Sequence, residues 1–285
     1  MAASKLQLTS QPLVHLPIIG RIISREPYVR AHRAFMQAWH IFLLIQTRQY
    51  RATFLGILWM FTGPLTTLLP IILVANAMKL EGGEEFGIPY SLFSFSGVIL
   101  WQVFWGGVHG VHTIFHPMRK RIRVLQLDAT IPVFGAAFGT ILSTWVSFMI
   151  LPIMMWRLHY HPSITVLLFP IPVLVAFLAG CCVGLPLLML NSIYQDVRHS
   201  MGFIHQFLFW TLPVVHVAPA AGKLYYVMKL NPLSHCFDFW RGLFSGNIAE
   251  YVVPFSISAG IILVLFLIVL RFYRNFIWEA VNYVL

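Results

Sequence analysis

Few residues in this chain are placed to do chemistry. His109, His112 and His116 fall at i, i+3 and i+7, one face of a helix. Such a face could bind a metal or relay protons. It could equally line an aqueous vestibule or sit near the headgroups, and that reading is preferred; no metal site is assigned. His159 and His161 flank a short turn and read as surface residues. The cysteines form neither a disulfide framework nor a zinc spacing, since Cys181 and Cys182 are adjacent in an apolar run and Cys236 stands alone. A phosphate-binding loop needs G-x-x-x-x-G-K-[ST]. The one Gly-Lys pair, Gly222-Lys223, has Val217 in the first glycine's place and Leu224 after the lysine. No H-E-x-x-H or G-x-S-x-G occurs. No catalytic residue and no cofactor is therefore assigned to the chain.

Aromatic side chains are the second kind of candidate. Trp101, Phe104, Trp105 and His112 share one helical face, and Phe203, Phe207 and Trp210 share another. Flat apolar rings with hydrogen-bonding edges suit sugars, whose C–H faces stack on π-systems. The same spacing also suits rings that face lipid or pack between helices.

The elements that carry these residues are set by hydropathy. The chain has 285 residues, 59% of them hydrophobic and only 10% charged, with a mean hydropathy of +0.78. That leaves too few polar groups to coat a water-soluble globule, so lipid is part of the solvent. Six stretches lack Lys, Arg, Asp and Glu and reach, or nearly reach, the length of a span: 54–78, 91–115, 131–156, 163–190, 201–219 and 254–270. The fold class is all-α integral membrane with six transmembrane helices. Two parts do not span. Residues 31–50 form a helix with Phe35, Trp39, Phe42 and Gln46 along one stripe, suited to the cytoplasmic interface or to packing on the protein. Residues 220–253 are aromatic but hold Asn231-Pro232, Asp238, Arg241 and Gly246, which predicts short helices dipping into the membrane from outside. Residues 1–30 read as a cytoplasmic segment without a cleaved signal peptide.

Orientation follows from the basic residues. With the N-terminus inside, only Lys79, Arg157, Lys223, Lys229 and Arg241 of the 19 lysines and arginines lie outside. The inside acids are Glu26, Asp128, Asp196 and Glu279, so the net charge of +10 sits on the cytoplasmic face. Topology thus accounts for a basicity that would otherwise suggest nucleic acid, and no nucleic-acid partner is expected. The six cores hold no Asp, Glu, Lys or Arg, which argues against an ion-coupled carrier; the histidines are the one exception.

The order of short motifs resembles a known family, the membrane subunits of ABC-type polysaccharide exporters, which move capsular polysaccharide, O-antigen or teichoic acid polymers. Tyr50-Arg51, Leu55-Gly56, Leu58-Trp59 and Pro64 stand as in that family's Y-R-x-x-x-L-G-x-L-W-x-x-x-x-P. Gly97, Trp101 and Phe104 follow, then Asp196-Val197-Arg198, Phe209-Trp210, Leu212-Pro213-Val214-Val215 and Asn231-Pro232, in family order. Two departures are His216, where the family commonly has tyrosine, and an Arg119–Arg123 run rich in arginine.

The resemblance implies a homodimer with a central channel, joined by two cytoplasmic ATPase subunits that bind ATP and magnesium. It implies a lipid-linked polysaccharide as cargo, a periplasmic or outer-membrane export partner continuing the path, and a bacterial inner membrane with both termini cytoplasmic. On this reading Trp101, Phe104, Trp105, Phe203, Phe207, Trp210, Tyr225 and Tyr226 line the substrate path. Arg48, Tyr50 and Arg51 on the interface helix, with Arg119, Lys120, Arg121 and Arg123 in a loop at 116–128, contact the ATPases. The rival readings are a drug or lipid exporter permease, a passive channel, and a membrane enzyme acting on lipid-linked sugars. The enzyme would have to use Asp128, Asp196 and His112, which form no recognisable constellation.

Overall fold

A computed structural model describes residues 27–51, 86–125, 128, 130–194, 196–215 and 224–283, together with positions 54, 62, 66, 69, 70, 72 and 73. Side chains are described except at 27–30, 48–51, 116–125, 224, 225, 227 and 277–283. The segment 1–26, and nearly all of the first predicted span, lie outside the described residues.

Among the described residues every regular element is helical. The order is α1 (Pro27–Arg51), α2 (Tyr90–Leu125), α3 (Ile131–Arg157), a 3-10 turn (Ile164–Leu168), α4 (Pro170–Ile193), α5 (Asp196–Thr211), α6 (Leu224–Leu230), α7 (Pro232–Ser245) and α8 (Ala249–Tyr283). Four helical stretches are long and apolar enough to cross a membrane: Tyr90–Phe115, Ile131–Arg157, Ile164–Ile193 and Ala249–Phe276. They match the second, third, fourth and sixth predicted spans. The fifth differs. Its helix has 16 residues, about 24 Å at ~1.5 Å per residue, against ~30 Å of hydrocarbon. It stops at Leu212-Pro213 because proline has no N–H to continue the ladder.

The α2 helix is the centre of the bundle. In its apolar window 78% of residues are buried, against 17% in that of α8. It packs on α3 and α4, while α8 packs on α4 and α7. Backbone touches backbone where α2 crosses α4. A methyl on Gly107 would come within 2.5 Å of the Phe177 carbonyl oxygen, one on Gly180 would strike that of Phe104, and one on Gly184 would lie 2.6 Å from that of Val108. Small residues at such crossings let membrane helices approach closely where no hydrophobic drive exists between them. Beside this crossing, Ser147 Oγ on α3 donates to Gln102 Oε1 on α2 at 2.8 Å.

The α1 helix docks on α3 through rings. Phe35, Trp39 and Phe42 each lie 5.0–5.9 Å from the Phe138 ring, and Phe35 also lies 5.9 Å from Phe134. Ala34, Ala38 and Ile41 are buried beside them. Of the predicted stripe, Phe42 is buried, whereas Phe35 and Trp39 touch α3 with one edge and stay exposed, as do Met36, Leu43 and Leu44.

One expectation is corrected. The run Arg119–Arg123 was placed in a loop at 116–128. Instead, α2 continues as helix to Leu125, and the basic run lies on that continuation past the apolar part ending at Phe115. Pro117 suggests a helix end, but it does not break this one. Within the segment 220–253 the described residues form α6, α7 and the start of α8, and α7 is packed into the protein. Leu233, Cys236, Phe237, Phe239, Trp240, Arg241, Leu243 and Phe244 are all buried. Its start shows why Asn231-Pro232 stands there: the Asn231 side chain accepts from Leu233 N at 3.0 Å and proline occupies the first turn. Gly246 ends it at φ 84°, the left-handed position glycine tolerates.

Candidate functional site

The two aromatic faces do not meet as one surface. Trp101 and Phe104 are each only 3% exposed. The Trp101 ring packs 5.4 Å from Phe104, 6.0 Å from Trp105, 5.1 Å from His205 and 5.4 Å from Phe209. Its indole Nε1 donates to His205 Nε2 at 3.2 Å, so Nδ1 carries the proton in that tautomer. Trp105 stands edge-on to His205 at 4.6 Å. In this conformation Trp101 and Phe104 offer no surface to a ligand; they lock α2 against one side of α5.

The other side of α5 is open. Phe203, Phe207 and Trp210 are 74%, 58% and 54% exposed. Phe203 and Phe207 stack at 6.3 Å with an interplanar angle of 18°, and Phe209 braces Trp210 at 5.5 Å. Helical spacing puts these three rings in a row along one helix while His205 and Phe209, on the buried side, hold that helix in place. Tyr226 on α6 is also exposed; the side chain of Tyr225 lies outside the described residues. The exposed part of the predicted aromatic set is therefore the α5 row, with Trp105 half-buried behind it.

A constellation that the spacing did not single out sits where α5 ends. Arg241 of α7 is 1% exposed. Its Nη2 donates to the carbonyl oxygens of Pro213 at 2.7 Å and Val214 at 2.8 Å. Its guanidinium carbon lies 3.5 Å from the centre of the Phe93 ring of α2. Tyr90 Oη donates to the Val215 carbonyl at 3.0 Å. Both carbonyls lie in the turn just past Thr211, the last residue of α5, so the cation stands near the negative end of that helix's dipole. The ring face adds a cation–π contact. Gly97 leaves the space, because a Cβ there would strike the Val214 oxygen and come 2.7 Å from Arg241 Nη2. Two motif elements read separately in the sequence, Gly97 and Leu212-Pro213-Val214-Val215, thus meet at Arg241.

The remaining candidates are placed as follows. His109 is exposed and near Thr113 Oγ1 at 3.2 Å, whereas His112 is buried. No group of three or more His, Cys, Asp or Glu that could hold a metal ion occurs among the described residues. Asp128 accepts from the Thr130 backbone and hydroxyl at 2.8 and 2.7 Å, shaping the turn into α3, and Asp196 opens α5. The backbone positions of Arg48, Tyr50 and Arg51 close α1, and those of Arg119, Lys120, Arg121 and Arg123 lie on α2; their side chains are outside the described residues.

No protein-family profile matches the chain. Over 222 residues the chain is 21% identical to the O-antigen export system permease protein RfbA of Myxococcus xanthus, covering 76% of this chain and 83% of that protein. The resemblance to polysaccharide-export permeases carried by the short motifs is borne out by this match. With its membrane-capable helices, it makes this a multi-pass membrane protein.

Proposed function

We propose that this chain is the permease subunit of an ATP-driven exporter that carries a lipid-linked polysaccharide across the bacterial inner membrane. The observation that carries the reading is the likeness to an O-antigen export permease along most of the chain. The open ring row of α5 supports it, because sugar faces slide over aromatic rings without a fixed hydrogen-bond code. In this reading residues 54–78 and 201–219, the latter as helix only as far as Thr211, complete six crossings and both termini are cytoplasmic. Two copies enclose the path, and two separate ATPase subunits bind ATP and magnesium. They press on the end of α1 at Arg48, Tyr50 and Arg51 and on the basic continuation of α2 from Arg119 to Arg123. The end bearing α6, α7 and the 3-10 turn is then the outer end, and a periplasmic partner receives the polymer there.

The chain breaks no bond in this scheme. It supplies a path and converts push from the cytoplasmic side into its opening. Removal of the chain from its host tests this. Surface polysaccharide should be lost while lipid-linked polymer accumulates inside the cell, and the wild-type chain should restore export. Normal surface polymer in the deletion strain would end the reading.

A further inference from the structure

We propose that Arg241 is a positioning residue for export: by holding two carbonyls of the turn that directly follows α5, it fixes the outer placement of the helix that carries Phe203, Phe207 and Trp210. The inference rests on the reading of that ring row as the polymer's contact. Pro213 and Val214, whose oxygens the guanidinium binds, lie three and four residues beyond Trp210 in the chain. Any shift of those carbonyls is passed to the ring within one turn.

A clamp positions only if its own base is fixed, and α7 is fixed on every side. Trp240 Nε1 donates to the Ser96 carbonyl of α2 at 2.9 Å. Phe239 stacks on Phe255 of α8 at 4.2 Å and 8°. The carbonyls at its C-terminal end receive Ser163 N at 2.9 Å and Thr165 Oγ1 at 2.7 Å from the 3-10 turn. Arg241 therefore ties the end of α5 to a block made of α2, α7 and α8. Filling space alone would not require this residue. Burying a guanidinium is costly, and an apolar side chain of like volume often serves a core as well. An apolar side chain cannot bond two successive carbonyls, and a lysine lacks the planar fork and the ring-stacking face. What arginine adds here is direction: it allows the α5 terminus one placement against Phe93.

Spin labels report that placement directly in the full-length chain in detergent. Gln206 on α5 and Ser245 at the end of α7 are exposed and accept labels as Gln206→Cys and Ser245→Cys. Only Cys182 needs replacement, because Cys181 and Cys236 are buried. The wild-type background should give one narrow distance distribution. Arg241→Met should broaden or shift it, Arg241→Lys should do so less, and export in cells should fall by about tenfold or more with Arg241→Met at unchanged protein level, as loss of charge-assisted bonds to buried acceptors implies. Tyr90→Phe, which removes only the bond to Val215, gives a milder change in the same direction and serves if Arg241→Met does not fold. A distribution unchanged in all three variants overturns the proposal, as does a broadened one with export at the wild-type level. If surface polysaccharide does not depend on the chain at all, the export reading fails while the distance measurement still stands on its own.

Discussion

At the residue scale, two sets of rings with the same helical spacing have opposite surroundings, and this separates their effects. Trp101 is in the packed interior, so Trp101→Ala should cost about 3–5 kcal/mol and reduce the amount of folded protein. Phe207 and Trp210 are more than half exposed. Phe207→Ala and Trp210→Ala should leave folded protein, measured by size exclusion, near wild type while surface polysaccharide falls. Equal loss of protein and polymer in those two variants would make their rings packing residues. Spacing found both faces but could not tell which one a neighbouring helix covers, because His205 and Phe209 carry no signal that they face α2. The burial of Arg241 was not legible for a related reason. A lone cation in a mixed segment reads as surface, since arginine is seldom fully buried, and the carbonyls that receive it are 27 and 28 residues away.

At the element scale, α2 matters in two ways. Its crossing with α4 depends on Gly107, Gly180 and Gly184. Gly180→Val would force the backbones apart and should cost at least about 1–3 kcal/mol, seen as a lower melting temperature in detergent. Gly202→Ala on α5, with open space around its Cβ, should leave that temperature unchanged apart from a small helix-propensity gain. The second role is the proposed coupling to an ATPase subunit, through the helical continuation carrying Arg119, Lys120, Arg121 and Arg123. As helix rather than loop, it is stiff enough to pass a push directly into the central element. Replacing the four by glutamine should weaken association with the ATPase subunit, or its substrate-stimulated hydrolysis, in detergent. A lipid anchor worth ~1 kcal/mol per charge would leave both intact and change only lipid dependence.

The long apolar helices α2, α3, α4 and α8 were legible because lipid demands unbroken apolar length. The end of α2 was not, because charge and Pro117 signal the edge of an apolar run rather than the edge of a helix. The brevity of α5 was not legible either: residues 201–219 are free of acidic and basic residues throughout, yet Pro213 stops the helix early.

At the scale of the whole molecule, the antiparallel order of α2, α3, α4, α5 and α8 puts the basic continuation of α2 and the start of α5 at one end. The 3-10 turn, α6 and α7 lie at the other. The proposed orientation, argued from the basic residues, makes the first end cytoplasmic. Single cysteines replacing exposed His161, between α3 and α4, and exposed Arg198, in the first turn of α5, test this in spheroplasts without the reactive native thiol. An impermeant reagent should label position 161 and spare position 198. The opposite pattern would invert the molecule and detach the basic surfaces from any cytoplasmic motor. The proposed export function requires directional movement of a polymer, which inside-out membrane vesicles can measure. With a radiolabelled lipid-linked polymer formed on the cytoplasmic leaflet, added ATP should make the label progressively resistant to a polymer-degrading glycosidase outside the vesicles. That protection should vanish in vesicles lacking this chain. Protection that appears equally without ATP, or without the chain, would contradict the account.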